Sequence, residues 1–290
     1  GMIGWFGFNV GLVGAAFGAL LQIPQWLAAL ILGVPIVFLS LRGMQGWNRL
    51  AALTTVSVLI LVALVVTQLG ARSSPVMLAT DNAFNIVTDM AVIVGFVAVF
   101  IVRAPDFTAG LSTRRDLVIV GLLICIPMLT VMLAGVNLEQ GTGSSDLVNV
   151  LAQPNGLAIG NLLITLAVIA PTFTTFYSGV PGLRAAIGID ERRAKWTMAI
   201  VGMILAVFRF DLLLLAWLGI LAALLPPVLV PFAVESTLRR AGRAARIVPM
   251  WVWLGGATCS LALTLMQNPL ALLVGLGVSF VMTVVWRFGK

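Results

Sequence analysis

The side chains in this sequence that could hold a ligand stand singly inside long apolar runs. In GWFGFN, residues 4–9, Trp5 and Asn9 are four positions apart, so on a helix they share one face. Together they offer an aromatic surface beside an amide that both donates and accepts hydrogen bonds, which suits a flat heterocycle. Membrane helices use these residue types more commonly for an interfacial tryptophan and an interhelical hydrogen bond, so both interpretations stay open.

A second group of polar side chains lies in APTFTTFYSG, residues 170–179. Thr172, Thr174, Thr175 and Tyr177 surround Pro171. Hydroxyls beside a proline can satisfy the backbone carbonyls that lose a donor there, or they can line a binding site. The sequence leaves both alternatives open.

Asp89 is the one acidic residue inside the apolar runs. An ionised carboxylate is costly in hydrocarbon, so Asp89 is expected to face a cavity or a partner, or else to reach the outer interface. We take it as the candidate ion-coupling residue. Asp211 stands beside Arg209, a pattern typical of an interfacial ion pair.

Residue types that carry enzymatic chemistry are scarce. The chain has no histidine, and its two cysteines, Cys125 and Cys259, lie in the middle of apolar runs, where cysteine acts as a small hydrophobe. The sequence shows no metal-ligand spacing and no catalytic constellation. We therefore expect no catalytic residues, no metal site and no cofactor, and an integral membrane enzyme is the weaker alternative.

Composition predicts the elements that position these side chains. Of the 290 residues, 61% are hydrophobic and 9% are charged, and the mean hydropathy is +1.12. Soluble domains carry about 25% charged residues. An all-α polytopic membrane protein is therefore expected, with the lipid bilayer as its partner, because helices satisfy their own backbone groups in hydrocarbon. The net charge of +7 lies in short clusters without a basic face, so no nucleic-acid partner is expected.

Apolar runs near the length needed to cross a bilayer predict about ten spans. They cover residues 3–21, 24–41, 50–69, 83–102, 117–136, 155–178, 196–208, 212–233, 249–266 and 269–286. The seventh run is short, and only three residues separate it from the eighth.

The stretch IVRAPDFTAGLSTRRD, residues 101–116, ends one apolar run in a cluster of charge. Loops 42–49, 103–116, 179–195 and 234–248 and the tail 287–290 hold 15 of the 17 Lys and Arg residues, whereas the opposite loops hold only Arg72 and Arg209. The positive-inside rule then predicts a multi-pass protein of the cell inner (plasma) membrane, with these loops and the C-terminus in the cytoplasm.

Glycine and proline inside the runs indicate where helices could be interrupted. Gly95 lies mid-run, Pro171 lies in the sixth run, and Pro226, Pro227 and Pro231 lie in the eighth. Transporters bind substrates and ions at broken helices near the membrane midplane. Packing and kinks are the alternative explanation.

Taken in order, these motifs resemble the nucleobase:cation symporter family, particularly its cytosine permease branch. GWFGFN is similar to the GWFG motif of the third helix, and GFVAVFIVRAPDFTAG (95–110) is similar to the sixth helix with its cytoplasmic PDFTR or ADF signature. TFTTFYSG is similar to the eighth helix, and WLGILAALLPPVLVPFAVESTLRR (217–240) to the tenth. The matches extend across essentially the whole chain.

The resemblance implies a leucine-transporter-type inverted-repeat fold, with residues 1–290 forming a single transmembrane transporter domain. The ten spans then correspond to helices three to twelve. Because the chain enters its first apolar run within three residues of Gly1, we expect an N-terminal truncation that removes the first two helices. The inverted counterpart of the broken first helix is the run 83–102, where the resemblance implies unwound backbone.

The resemblance also implies a substrate-binding site, with Trp5 stacking on the substrate and Asn9 supplying a polar group. The full set of expected substrate-binding residues is Trp5, Asn9, Gly95, Phe96, Thr172 and Thr175. The chain departs from the family pattern in three places: Phe96 follows Gly95 directly, residues 170–179 contain no asparagine, and Ala109 replaces the signature arginine.

We therefore expect a secondary active transporter, not an enzyme. It would import a nucleobase or related planar nitrogen heterocycle, of cytosine, purine, hydantoin or allantoin type, by alternating access coupled to Na⁺ or H⁺. The alternatives are an integral membrane enzyme and a transporter of the same fold for another small solute such as an amino acid. A pore is disfavoured because the sequence shows neither rings of charge nor a carbonyl filter. Nothing in the sequence indicates an oligomeric state.

Overall fold

The computed structural model of the chain describes residues 1–42, 47–69, 83–104, 108, 110–144, 146–152, 158–244 and 246–289. Every regular element within these residues is a helix. The α-helices are α1 (Met2–Leu21), α2 (Gln25–Arg42), α3 (Trp47–Leu64), α4 (Ala83–Val102), α5 (Arg114–Thr142), α6 (Leu147–Ala152), α7 (Ala158–Ile187), α8 (Glu191–Val207), α9 (Leu214–Arg240), α10 (Met250–Leu265) and α11 (Ala271–Phe288). A π-helical turn (Val65–Leu69) extends α3, and a 3₁₀ turn (Phe210–Leu213) precedes α9.

Several of these helices suit a lipid environment. In the described part of the chain, seven helices are long and apolar enough to cross a membrane, and two shorter apolar helices, Met90–Val102 and Met250–Leu265, accompany them. Large apolar side chains face outward, as on α5, where Leu123 is 67% exposed and Ile126 is 60% exposed. Because such a surface is stable in hydrocarbon and not in water, the prediction of an all-α polytopic membrane protein is confirmed. The number of spans stays a prediction.

Each predicted apolar run overlaps a helix, but the ends differ because polar caps decide where helices begin. α8 starts at Glu191, five residues before the predicted run, since the Asp190 carboxylate accepts the backbone N–H of Arg193 at 2.9 Å. α5 starts at Arg114 because Thr113 and Asp116 form a capping box. The short helix α6 was not predicted. Hydropathy therefore locates the hydrocarbon-spanning part of a helix better than its ends.

The chain divides into two compact units. Unit 1 comprises Gly1–Leu78 and Gly110–Leu213, and unit 2 comprises Ala79–Ala109 and Leu214–Lys290. The single-domain organisation stays a prediction.

Helix α1 lies at the centre of unit 1 and packs against α2, α7 and α8. Its glycines allow this close packing, since a Cβ at Gly14 would lie 2.8 Å from the Cα of Ala29 on α2. Phe6 of α1 and Phe176 of α7 fill the core, with their ring centroids 5.4 Å apart in an edge-on arrangement. Close packing of small residues and aromatic rings thus holds the helices together, because the hydrophobic effect does not drive helices to associate within a bilayer.

Helix α9 has the same central position in unit 2, where it packs against α4, α10 and α11. Pro231 has no N–H, so the carbonyl of Pro227 lacks its usual donor four residues later. The Ser279 hydroxyl on α11 donates to this carbonyl at 2.6 Å, and Ser279 is fully buried. A side chain of a neighbouring helix therefore compensates for the proline.

The expectation of unwound backbone in the run 83–102 is wrong. α4 is continuous from Ala83 to Val102 and passes through Gly95 without a break. A Cβ at Gly95 would collide with the carbonyl oxygen of Leu218 on α9, so the glycine is what lets the two helix backbones touch. Of the two alternatives for Gly95, helix packing is therefore the one that the structure shows.

Candidate functional site

The contact between α1 and α7 joins two of the polar motifs of the sequence. The Asn9 Nδ2 atom donates to the Thr175 hydroxyl oxygen at 3.4 Å, a long hydrogen bond. Asn9 is 7% exposed and Thr175 is 5% exposed. Because α1 crosses α7 with an amide and a hydroxyl facing each other, unit 1 has a buried polar pair between these two helices.

Trp5 lies one helical turn before Asn9 on the same helix, as the spacing predicts. Its ring meets Phe8 edge-on, with centroids 5.5 Å apart, and the indole nitrogen is buried. Trp26 on α2 shows the contrasting situation, because half of its surface is exposed. Trp5 is therefore partly enclosed by unit 1, which an outward-facing interfacial tryptophan would not be.

The threonines of α7 donate to carbonyls of their own helix. The hydroxyls of Thr172, Thr174 and Thr175 donate to the carbonyls of Val168, Ala170 and Pro171 at 2.6, 2.8 and 2.7 Å. Pro171 removes the donor for a different carbonyl, that of Ala167. These hydroxyls therefore do not donate to the carbonyl that Pro171 leaves without a partner. Their oxygens can still accept a hydrogen bond.

The two threonines expected to bind substrate have different surroundings. Thr175 meets Asn9, whereas Thr172 is fully buried. In this conformation Thr172 has no exposed surface for a ligand. The structure thus brings Trp5, Asn9 and Thr175 into one region of unit 1 and places Thr172 in the packed core beside it.

Thr54 of α3 makes a polar contact with α7 that the sequence does not predict. Its hydroxyl donates to the Leu166 carbonyl at 3.1 Å and accepts the Ala170 N–H at 3.3 Å. These two backbone groups are an i, i+4 pair of α7, so a side chain of another helix enters the ladder of α7 directly before Pro171. The pair Thr54–Thr55 in an apolar run was the only sequence signal for this contact.

Arg209 and Asp211 form the predicted ion pair, with Arg209 Nη2 2.9 Å from Asp211 Oδ2. The Asp211 side chain is only 6% exposed, and a Cβ at Gly11 of α1 would lie 2.9 Å from its Oδ1. Nearby, Gln25 Nε2 donates to the Ala206 carbonyl at 3.0 Å. The carboxylate is therefore buried against α1, and the position of the pair at the membrane interface stays a prediction.

The remaining expected site residues belong to unit 2. Gly95 packs against α9, and Phe96 meets Phe100 edge-on with ring centroids 5.3 Å apart. Asp89 lies on α4, and its side chain is outside the described residues. Of the PDFTAG signature, residues 105–107 and 109 are also outside the described residues.

Unit 2 contains a cavity of about 380 Å³ between α4, α9 and the turn from α10 to α11. Ala222 and Ala223 line it, and their carbonyls lack the usual i+4 donors because residues 226 and 227 are prolines. Gln267 and Asn268 contribute amide side chains to the lining. The sequence does not predict this cavity.

Glu235 was also missed, because the eighth run was expected to end at residue 233. The residue lies within α9, and its Oε1 is 2.9 Å from Nε of Arg287 on α11. The side chains of Arg287 and Glu235 are 7% and 9% exposed. Unit 2 therefore holds a buried ion pair between two helices that are far apart in sequence.

We found no protein-family model, curated protein or solved structure that matches the chain. Within the described ranges, no group of three or more His, Cys, Asp or Glu side chains could hold a metal ion. The polar contacts between the helices are therefore the observations that bear on function.

Proposed function

We propose that the protein is a cation-coupled secondary transporter that imports a nucleobase or a related planar nitrogen heterocycle. The observation that carries the proposal is the Asn9–Thr175 hydrogen bond, which joins motifs 166 residues apart in sequence. Trp5 stands one turn from Asn9. A flat ring with a polar edge needs an aromatic face to stack on and an amide and a hydroxyl at its rim, and this region of unit 1 provides these groups.

The same proposal includes the finer features of the fold. We assign ten spans in a leucine-transporter-type inverted repeat, located in the cell inner (plasma) membrane with a cytoplasmic C-terminus. The Thr54 hydroxyl, which bonds to backbone groups of α7 beside Pro171, fits a proline-containing membrane helix whose backbone groups are satisfied by a neighbouring helix. The coupling cation is Na⁺ or H⁺.

The hydrogen bond also suggests how a substrate enters. Asn9 and Thr175 are buried and bonded to each other, so a substrate binds only when α1 and α7 separate locally. The Asn9 amide then exchanges the Thr175 hydroxyl for the edge of the substrate, and little hydrogen-bonding energy is lost in the exchange. Opening and closing of this contact would give the two conformations that alternating access requires.

The test is uptake of labelled cytosine, hypoxanthine, hydantoin and allantoin by cells that express the full-length protein, together with binding to the purified protein. We expect saturable uptake of at least one of these compounds. Trp5→Ala should weaken binding by about 1–3 kcal/mol, the usual range for stacking on an aromatic ring, and Trp5→Phe should lose less. Trp26→Ala removes an exposed tryptophan and serves as the control.

Two results would count against the proposal. Saturable uptake of an amino acid with none of the heterocycles would show that the fold serves another solute. Unchanged affinity in a correctly folded Trp5→Ala protein would assign Trp5 to packing. Hydrolase assays on the same membranes test the enzyme alternative, which predicts product formation without accumulation in the cell.

A further inference from the structure

The segment that follows α9 is held in place by the buried ion pair of unit 2. Besides their mutual contact, Glu235 Oε2 accepts the backbone N–H of Arg246 at 3.1 Å, and Arg287 Nη2 donates to the carbonyl of Ala244 at 2.9 Å. The backbone on both sides of residue 245 is thereby tied to the ends of α9 and α11. Ala244 and Arg246 are therefore fixed to unit 2 although neither is helical.

Four arginines project from the last turn of α9 and from the segment that follows it. Arg239, Arg240, Arg243 and Arg246 are all exposed, and no acidic side chain among the described residues pairs with any of them. The Arg243 guanidinium carbon lies 5.8 Å from the ring centroid of Phe288. Because Arg287 neutralises Glu235, the one acid of the segment, the surface keeps the full charge of its four arginines.

Exposed apolar side chains follow these arginines directly. Ile247 is 95% exposed, Met250 is 61% exposed, and Trp251 in the first turn of α10 is 49% exposed. Arginines followed by a tryptophan and aliphatic side chains at a helix end are the combination found where a protein meets the headgroup region of a bilayer.

A second cluster of basic residues shows that the number of basic residues does not by itself determine how much positive charge stays unpaired. Arg184, Arg192, Arg193 and Lys195 are equally numerous, but Asp190 and Glu191 lie among them. Glu191 contacts Lys195 at 2.7 Å and Arg184 at 3.6 Å, and Asp190 contacts Arg193 at 3.1 Å. Two acidic side chains therefore compensate half of the charge of that cluster within unit 1.

We propose that the exposed arginines of unit 2 form a binding surface for the phosphate headgroups of anionic membrane lipids. This arginine surface consists of Arg239, Arg240, Arg243, Arg246, Ile247 and Trp251. The arginines donate to the lipid phosphate, since a guanidinium offers several donors to phosphate oxygens. Ile247 and Trp251 enter the boundary between headgroups and acyl chains. The proposal does not depend on which solute the protein transports.

The test measures lipid selectivity in the full-length protein reconstituted in phosphatidylcholine vesicles. Brominated phosphatidylglycerol or brominated phosphatidylcholine is added, and quenching of tryptophan fluorescence gives the relative association of the two lipids. The Trp251→Phe variant identifies the part of the signal that comes from the arginine surface. We expect wild-type protein to prefer phosphatidylglycerol. The variant Arg239→Gln/Arg240→Gln/Arg243→Gln should lower this preference by about tenfold or more, since each basic residue near an anionic surface contributes measurably.

The matched control is Arg192→Gln/Arg193→Gln/Lys195→Gln, which removes the same number of positive charges from the partly compensated cluster. We expect it to keep the preference nearly unchanged. Retained preference in the unit 2 variant, or an equal loss in the control, would overturn the proposal. Inorganic phosphate is added against sodium chloride of the same ionic strength. Stronger competition by phosphate than by chloride would show that the surface binds a soluble phosphate, which would also overturn it.

Discussion

The buried ion pair between Glu235 and Arg287 provides the sharpest quantitative prediction. Both side chains are less than a tenth exposed, so removal of one partner leaves the other as an uncompensated buried charge. Such a loss typically costs about 3–5 kcal/mol. We therefore expect Glu235→Leu and Arg287→Met each to destabilise the protein by about this amount.

The double variant Glu235→Leu/Arg287→Met should be less destabilised than either single variant. Replacing a buried pair by apolar side chains is often nearly neutral, because the cost of desolvating both charges disappears as well. The double variant still loses the hydrogen bonds to the Arg246 N–H and the Ala244 carbonyl, at about 1 kcal/mol each. Its expected net cost is about 2 kcal/mol or less.

Unfolding of the purified protein by sodium dodecyl sulfate in mixed micelles measures these free energies. The wild type, both single variants and the double variant form a double-mutant cycle, and the coupling energy isolates the pair itself. Size-exclusion elution shows whether each variant is folded before titration. If the single variants were as stable as the wild type, or if the double variant lost the sum of both single losses, the pair would not be a buried ion pair that stabilises the end of α9.

Three further predictions concern other parts of the chain. Gly95→Ala should cost about 1–3 kcal/mol in the same unfolding assay because its Cβ meets the Leu218 carbonyl, while Gly121→Ala, which has open space, should cost nothing. The backbone N–H of Arg193 holds the pKa of Asp190 below its ordinary value. The ionised Asp190 therefore stabilises the folded protein above about pH 4, and this stabilisation is lost as the pH falls through the lowered pKa that Asp190 has in the folded protein. In thermal unfolding between pH 6 and pH 3, Asp190→Asn, which caps α8 without titrating, should therefore lose less stability than the wild type. Asp89→Asn should abolish the dependence of uptake on a proton gradient, and a strict sodium requirement that survives this change would exclude Asp89 as the coupling group.

The helices were largely predictable because the bilayer imposes a simple rule. A run such as 83–102 or 269–286 must be helical in hydrocarbon, since no other local structure satisfies its backbone. The ends were less predictable, because capping by Asp190 and Thr113 extends helices beyond their apolar parts. Continuity within a helix was harder still. Gly95 suggested a break, but its physical role is a close contact with α9, which depends on a partner that local sequence does not reveal.

The sequence by itself determined the solvent of this protein, its helical character and the polar residues worth testing, because hydropathy and side-chain chemistry are local properties. Tertiary structure decided which polar groups meet. Asn9 donates to Thr175, and Thr54 donates to a backbone carbonyl of α7. Both hydrogen bonds join residues that are more than a hundred positions apart in sequence. Glu235 is buried with Arg287, which leaves Arg239 and Arg240 exposed without an acid, while Glu191 compensates Lys195. Two clusters with the same number of basic residues thus carry different effective charge, because compensation depends on distances between atoms of helices that only packing brings together.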